Sequence, residues 1–295
     1  MFRVRRLLAP FVLCIALLFS EAQAFTIAWL SDTQNYHNAY KPIFDGMTQW
    51  IADNREALDI RFVFHTGDVV GSWSSEDQWR QARESMGILS SASIPFLAAC
   101  GNHDIGYRMN YANFLKYVLS LRPASMSQEY GDTGSRYELF SANGRDYIFM
   151  GIAFSNKGPG EDEVNWINGV LRQYSSRDAI IITHSYLKKS ASYTTQGKAI
   201  FEKIVKANPN VFLVLCGHCR DISYKNVQLD DDGDGDPDRT VYAILSNFQG
   251  SKAGGGGYMR ILDFRDSDIY IYTYSPYYDS CEYPKGKTEA TVPLP

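Results

Sequence analysis

Five positions directly behind apolar, β-rich runs carry side chains that bind hard cations. Asp32 follows TIAWLS, Asp68 follows FVFHTG, Asn102 and His103 follow PFLAACG, His184 follows AIIIT, and His218 follows VFLVLCG. In layered α/β proteins the carboxyl ends of strands are where loops converge on a ligand. Carboxylate, carboxamide and imidazole donors gathered at one such rim suit Mn, Fe or Zn, and do not suit Cu(I) or an iron–sulfur cluster. One Asp or His in such a place is an ordinary turn residue. Five behind five strands form a constellation.

The elements that must position these residues can be read from periodicity. Apolar β-rich runs fall at 26–30, 62–65, 96–99, 147–153, 179–183, 211–215, 240–245, 258–264 and 269–274. Helical faces lie between the earlier ones: Ile43, Phe44, Met47, Trp50 and Ile51; Trp79, Ala82, Met86 and Leu89; Val164, Ile167, Val170, Leu171 and Tyr174; and Phe201, Ile204 and Val205. Strands alternate with helices at first and then follow one another, which predicts an α/β layered protein with mixed sheets. No internal repeat or long linker interrupts residues 25–295, so one domain is expected there. The glycine-rich stretch at 250–257 is expected to be a flexible loop.

Residues 1–24 read as a cleavable signal. Three arginines precede an apolar run at 7–19, and Ala22-Gln23-Ala24 supplies the small-x-small cleavage signature. The run is short for a membrane span, so a secreted or periplasmic protein with no span after signal removal is expected. The 295 residues carry a formal charge of −4, without the basic footprint of a nucleic-acid binder. Cys100, Cys216, Cys219 and Cys281 follow the signal, and spacing alone does not choose among their three possible pairings.

The segments Ser31-Asp32-Thr33-Gln34, Gly67-Asp68-Val69-Val70, Gly101-Asn102-His103-Asp104, Thr183-His184 and Gly217-His218 resemble, in order, the motif blocks of calcineurin-like metallophosphoesterases. Ser246-Asn247-Phe248-Gln249 and Thr273-Tyr274-Ser275-Pro276 resemble segments of secreted members of that group. The resemblance implies a four-layer α/β/β/α sandwich of two mixed sheets. It also implies a site for one or two divalent transition metals that hydrolyses a phosphate mono- or diester, the substrate class otherwise open. By that resemblance, Asp68, Asn102, His184 and His218 would hold one metal, and Asp32, Gln34 and Asp68 would contribute to the other. His103 would serve the leaving group with Asp104 orienting it.

Two departures accompany the match. The resemblance leads to D-x-H where Asp32-Thr33-Gln34 stands, and to G-H-x-H where Gly217-His218-Cys219-Arg220 stands. Gln34 keeps an amide oxygen for a hard metal, but Arg220 cannot ligate a cation. The remaining histidines are His37, five residues past Asp32, and His65. Three outcomes compete: one metal with Arg220 gripping phosphate, a weak second metal, or a degenerate protein that binds phosphorylated ligands without turnover.

Other motifs compete for attention. Cys216-Gly217-His218-Cys219 reads C-G-H-C, a disulfide-isomerase sequence, but no amphipathic helical stripe follows it. Asp230, Asp232, Asp234 and Asp238 lie in DDDGDGDPD, a spacing that calcium loops use to present oxygens; the alternative is an acidic hairpin turn between Val227 and Val241. Trp29, Trp73, Tyr36, Tyr107 and Tyr186 flank the motif blocks as candidate cleft residues or as packing.

Overall fold

The computed structural model describes residues 24–295 except 108, 123–127, 285 and 287. Of the expected signal segment, all but Ala24 lies outside the described residues. The chain first lays down β1 (Phe25–Leu30), β2 (Ile60–His65) and β3 (Phe96–Ala98). It then builds a second sheet from β4 (Gln128–Glu129), β5 (Arg136–Ala142), β6 (Arg145–Ile152), β7 (Asp178–Thr183), β8 (Val211–Cys216), β9 (Asp221–Leu229) and β10 (Arg239–Asn247). Finally β11 (Met259–Phe264), β12 (Asp268–Tyr274) and β13 (Ala290–Pro293) return to the first sheet.

The two sheets have the orders β13-β12-β11-β1-β2-β3 and β4-β5-β6-β7-β8-β10-β9. Both are mixed. β1, β2 and β3 are parallel while β11 joins β1 antiparallel. β6, β7, β8 and β10 run parallel between antiparallel partners at either end. The parallel strands in each sheet therefore end at a common rim, which is where the polar residues were expected.

Strand periodicity sorts the apolar side chains into layers. In β1, Ile27 and Trp29 face the other sheet and meet Phe149, Ile180, Ile182, Leu213 and Leu215 in the inter-sheet core. Ala28 and Leu30 face the opposite way, onto α1 (Lys41–Asp53) and α2 (Glu76–Ser91). In the chain between β3 and the second sheet come the one-turn α3 (Asn102–Ile105) and the short α4 (Ala112–Tyr117), whose Ile105, Phe114 and Tyr117 join the same apolar cluster. The outer face of the second sheet packs on α5 (Glu161–Gln173) and α6 (Thr195–Ile200), the latter running into a π-helical turn at Phe201–Val205. Alternate residues of a strand point to opposite faces, so strands buried on both sides become continuous apolar runs. The result is the expected four-layer α/β/β/α sandwich.

Helix ends follow ordinary capping rules. Ser75 caps α2 by accepting from the Gln78 amide, with Glu76 and Asp77 in the first turn; Glu161, Asp162 and Glu163 open α5. The glycine-rich loop is packed against neighbours, contrary to the flexible connection expected. A side chain at Gly255, whose φ is +136°, would come within 2.4 Å of the Tyr36 hydroxyl. Tyr36 in turn accepts from the Gly257 amide at 2.9 Å.

Candidate functional site

At the common rim the loops after five parallel strands turn sharply. Asp32, Asp68 and His218 adopt left-handed backbone, with φ of 51°, 54° and 69°. Non-glycine residues take this conformation at a cost, and such strain clusters where side chains must be aimed. Two glycines allow the loops to close. A methyl group on Gly101 would sit 2.2 Å from Asp68 Oδ1, and one on Gly217 would sit 2.3 Å from Asp32 Oδ2.

Donors converge on the inner nitrogen of His184. Asn102 Oδ1 lies 3.0 Å from His184 Nε2, His218 Nδ1 lies 3.1 Å away, and Asp68 Oδ2 lies 3.3 Å away. Ligand atoms of Asp68, His184 and His218 all fall within 4.8 Å of one another. Bonds of about 2.0–2.1 Å to a small divalent ion put neighbouring donors about 3.0 Å apart at right angles and about 3.4 Å apart at tetrahedral angles. The four residues therefore have the chemistry and spacing of a metal-binding set.

The supporting groups agree with that use. His184 Nδ1 lies 2.9 Å from the Thr66 carbonyl, so in the neutral ring it donates there and leaves the Nε2 lone pair facing the cluster. The second oxygen of Asp68 accepts from the His103 backbone amide at 2.9 Å. Asn247 steadies the His218 turn by donating to its carbonyl at 3.1 Å. Phe154 sets its ring edge-to-face against His184, with centroids 5.8 Å apart.

Charge in this pocket is tightly coupled. Burial opposes a charged His184, but Asp68 and then Asp32 outweigh it and push this imidazole up to about 9. Burial, reinforced by His184, pushes His218 down to about 4. Burial raises Asp32 to about 7, assisted by Asp68 and opposed by His184.

The other half of the expected site is looser. Asp32 is buried, accepts from Ser31 Oγ, and takes the His218 amide at 3.2 Å on both oxygens. Gln34, in a short 3-10 turn at Thr33–Asn35, is buried, and its Oε1 has no hydrogen-bond partner among the described residues. An orphaned buried acceptor of this kind fits a hard cation or its water. Arg220 is exposed and makes no side-chain hydrogen bond or ion pair among the described residues. His37 is not in the cluster. His65 is buried in its support: Nδ1 accepts from the Gly67 amide at 3.1 Å, and the other ring nitrogen lies 3.0 Å from Thr33 Oγ1.

Asp104 differs from its expected role. Its Oδ1 accepts from the Val69 and Val70 amides at 2.8 and 3.1 Å, and its Oδ2 accepts from Gly101 at 2.8 Å. The carboxylate therefore clamps the β2 and β3 loops together. His103 takes its orientation from the Gly71 carbonyl, 2.9 Å from Nδ1. The exposed His103 ring lines a cleft of about 550 Å³ with Gly71, Ser72, Trp73, Asn102, Gly106, Tyr107, Phe154, Asn156 and His218. Of the candidate cleft aromatics, Trp73 and Tyr107 are there, whereas Trp29, Tyr36 and Tyr186 are buried in the protein.

Two other motifs resolve into local structure. After Cys219 the chain runs into β9, not a helix, and the four described cysteines are free. Burial pushes the Cys216 thiol up to about 12 and raises Cys219 as well, the opposite of an activated thiolate. The Asp-rich segment is the turn of the β9–β10 hairpin, with Val227 paired to Val241. It brings Asp230, Asp232 and Asp238 within 4.8 Å of one another but leaves Asp234 out of that group; all are exposed. Backbone amides of Gly233 and Gly235 donate to Asp230, and those of Asp231 and Asp232 donate to Asp238.

Thr66 and Gly71 had no side-chain signal in the sequence, because both act through main-chain carbonyls. Phe154 was hidden for another reason: an aromatic residue after an apolar run reads as ordinary core.

Comparison with known proteins gives concordant findings. The family model described as calcineurin-like phosphoesterase matches residues 25–219. The uncharacterized protein YvnB of Bacillus subtilis (strain 168) is 41% identical over 259 residues, which cover 86% of this chain but 20% of that protein. The chain thus spans about one fifth of that relative's length. Among solved structures, a dimetal phosphatase from Danio rerio superimposes with a TM-score of 0.60 at 12% identity, covering 91% of this chain and 98% of the other. The anchor protein GAP50 of the Plasmodium inner membrane complex gives 0.59 at 13%, covering 92% and 89%. Purple acid phosphatase PPD1 of yellow lupin (Lupinus luteus) gives 0.57 at 13%, covering 92% and 54%. At these identities the structural likeness establishes the fold alone.

Proposed function

Since the chain belongs to the calcineurin-like phosphoesterase family, we propose that it hydrolyses a phosphate mono- or diester with the help of bound divalent metal. The observation that carries this reading is the convergence of Asp68, Asn102 and His218 on His184 Nε2 at 3.0–3.3 Å. Those four residues would hold the principal ion, and Asp32 with Gln34 would support a second, weaker one. When bound, such an ion supplies Lewis-acid polarisation of a phosphoryl oxygen and a water of lowered pKa. Thr66 fixes the His184 tautomer, and the Asp104 clamp fixes the loops that carry Asp68 and Asn102. His103, held at Nδ1 by Gly71, presents its other ring nitrogen to the cleft, where it would give a proton to the leaving oxygen. Arg220 would reach phosphate from the exposed rim through its guanidinium.

The proposal includes export through residues 1–24 with cleavage after Ala24, to be checked by N-terminal sequencing of protein recovered outside the cytoplasm. It also includes calcium at Asp230, Asp232 and Asp238. For the central claim, Asn102→Ala and His184→Ala should each abolish metal-stimulated hydrolysis while circular dichroism stays unchanged. Full activity in both variants would overturn it.

One feature favours a second reading, a phosphate-binding protein that has lost turnover: Arg220 stands where the motif has a metal-binding histidine. Arg220→His combined with Gln34→His separates the two. Activity created where the natural chain has none supports the second reading, and damage to activity already present supports the first.

A further inference from the structure

The cleft beside His103 has a definite character. Among the described residues its lining contains no Lys, Arg, Asp or Glu. The imidazoles of His103 and His218 and the Asn102 amide occupy the end next to the metal-binding set. The remaining wall presents Trp73, Tyr107 and Phe154, with the small polar groups of Ser72 and Asn156 between them. A volume of about 550 Å³ falls within the roughly 300–1,000 Å³ of small-molecule pockets.

The aromatic wall is built, not incidental. Trp73 is anchored through its carbonyl, which accepts from Trp79 Nε1 at 2.7 Å and from Asn113 Nδ2 at 2.9 Å. Its indole lies flat against Gly106, where even a methyl group would come within 2.2 Å of the ring nitrogen. Gly106, at φ of +62°, then turns the chain so that Tyr107 stands fully in solvent at the cleft. A wholly exposed tyrosine costs apolar hydration, and this one sits beside a half-buried indole. Phe154 continues the wall to the two metal-binding imidazoles, its ring centroid 5.8 Å from His184 and 5.9 Å from His218.

We propose that the alcohol portion of the substrate carries a planar aromatic group, which Trp73 and Tyr107 grip while the ester phosphorus faces the Asp68–His184–His218 cluster. This specificity rests on the phosphoesterase reading and deepens it. The leaving group departs on the His103 side, which is the side these two rings line. Flat rings, whether of a nucleobase or of a simple aryl group, gain by stacking on exposed aromatic faces.

The test is calorimetric binding to the metal-loaded protein of three phosphonates whose carbon–phosphorus bond is not hydrolysed: benzylphosphonate, propylphosphonate and the 5′-methylenephosphonate analogue of adenosine monophosphate. The aromatic ligands should bind roughly 5- to 100-fold more tightly than the propyl compound. Tyr107→Ala and Trp73→Ala should each erase most of that preference, and Tyr107→Phe should keep it. Tyr107 is fully exposed, so its variants test the idea even if Trp73→Ala misfolds. Tighter binding of the nucleotide analogue than of benzylphosphonate would identify a nucleobase as the group gripped; equal binding would identify a simple aryl ring. Equal affinity for all three ligands, or a preference unchanged by Tyr107→Ala, would overturn the inference while leaving hydrolysis intact. Failure of every phosphonate to bind, with no turnover of any ester, would instead overturn the phosphoesterase reading beneath it.

Discussion

At the residue scale, Asp104 and His65 show how much of the site is support. Asp104 accepts three backbone hydrogen bonds from two loops, and leaving a buried amide without its acceptor costs about 1–3 kcal/mol each. Asp104→Ala should therefore lower unfolding free energy by about 3 kcal/mol or more, measured by urea titration. Unchanged stability together with a shifted pH–activity profile would instead restore Asp104 to the role of orienting His103. His65 is buried, which together with the nearby His184 pushes its pKa down from 6.5 to about 3. A depressed histidine contributes stability that is complete above pH 6.5 and lost as pH falls toward the folded value. Between pH 7 and pH 4.5 this group alone should cost about 2–3 kcal/mol. His65→Asn, which keeps an acceptor for the Gly67 amide, should show a correspondingly smaller loss between those two pH values. An identical loss in both proteins would refute the assignment. The residues proposed to hold metal were legible as candidates in the sequence because each follows a strand directly. Thr66 and Gly71 were not, since a carbonyl is common to every residue type.

At the scale of elements, the site depends on loops pressed together without side-chain bulk. Gly217→Ala would drive a methyl group into Asp32 Oδ2 and within 2.7 Å of Ser31 Oγ. The β8 loop must then move, and metal affinity should fall about 10- to 100-fold, as when supporting groups of a metal site are altered. Equilibrium metal titration checks this, and unchanged affinity would contradict the packing argument. The Asp-rich hairpin makes a separate prediction: millimolar calcium, but not magnesium, should raise the thermal midpoint, and Asp230→Asn should remove the rise. No calcium effect would leave the segment as a plain acidic turn. The long apolar runs were all readable as strands. β5 and β9 were not, for a physical reason. β5 buries Arg136 and Glu138, so its sequence RYELFSA lacks apolar alternation. β9 is an edge strand with much of one face in solvent, so DISYKNVQL reads as polar chain. The one-turn α3 is too short for any periodicity to show.

At the scale of the whole molecule, the chain begins in one sheet, builds the other, and returns with β11, β12 and β13 to complete the first. The inter-sheet core draws side chains from both sheets, including Trp29, Phe64, Phe149, Leu213 and Leu262. Neither sheet can be removed without exposing that layer, so we propose that residues 25–295 unfold as one domain. A single cooperative transition, coincident by tryptophan fluorescence and far-ultraviolet circular dichroism, is expected. Two separated transitions would contradict it. The layered class was visible from the order of strands and helices. The two-sheet sandwich came from the family resemblance, and the strand order within the sheets was not legible, because nothing in a local pattern says that the last three strands return to the first three.

The central claim, that Asp68, Asn102, His184 and His218 hold a catalytic metal, is tested most directly by measuring metal content and turnover together. Protein purified without chelator would be analysed for Mn, Fe and Zn and assayed on bis-p-nitrophenyl phosphate before and after reconstitution. The account predicts at least one transition-metal ion per chain with turnover that chelator removes and metal restores. A stoichiometry near one would identify the Asp32–Gln34 half as weak or vacant, and two would show that Gln34 compensates for the missing histidines. A chain that takes up no transition metal and hydrolyses nothing after reconstitution would contradict the account.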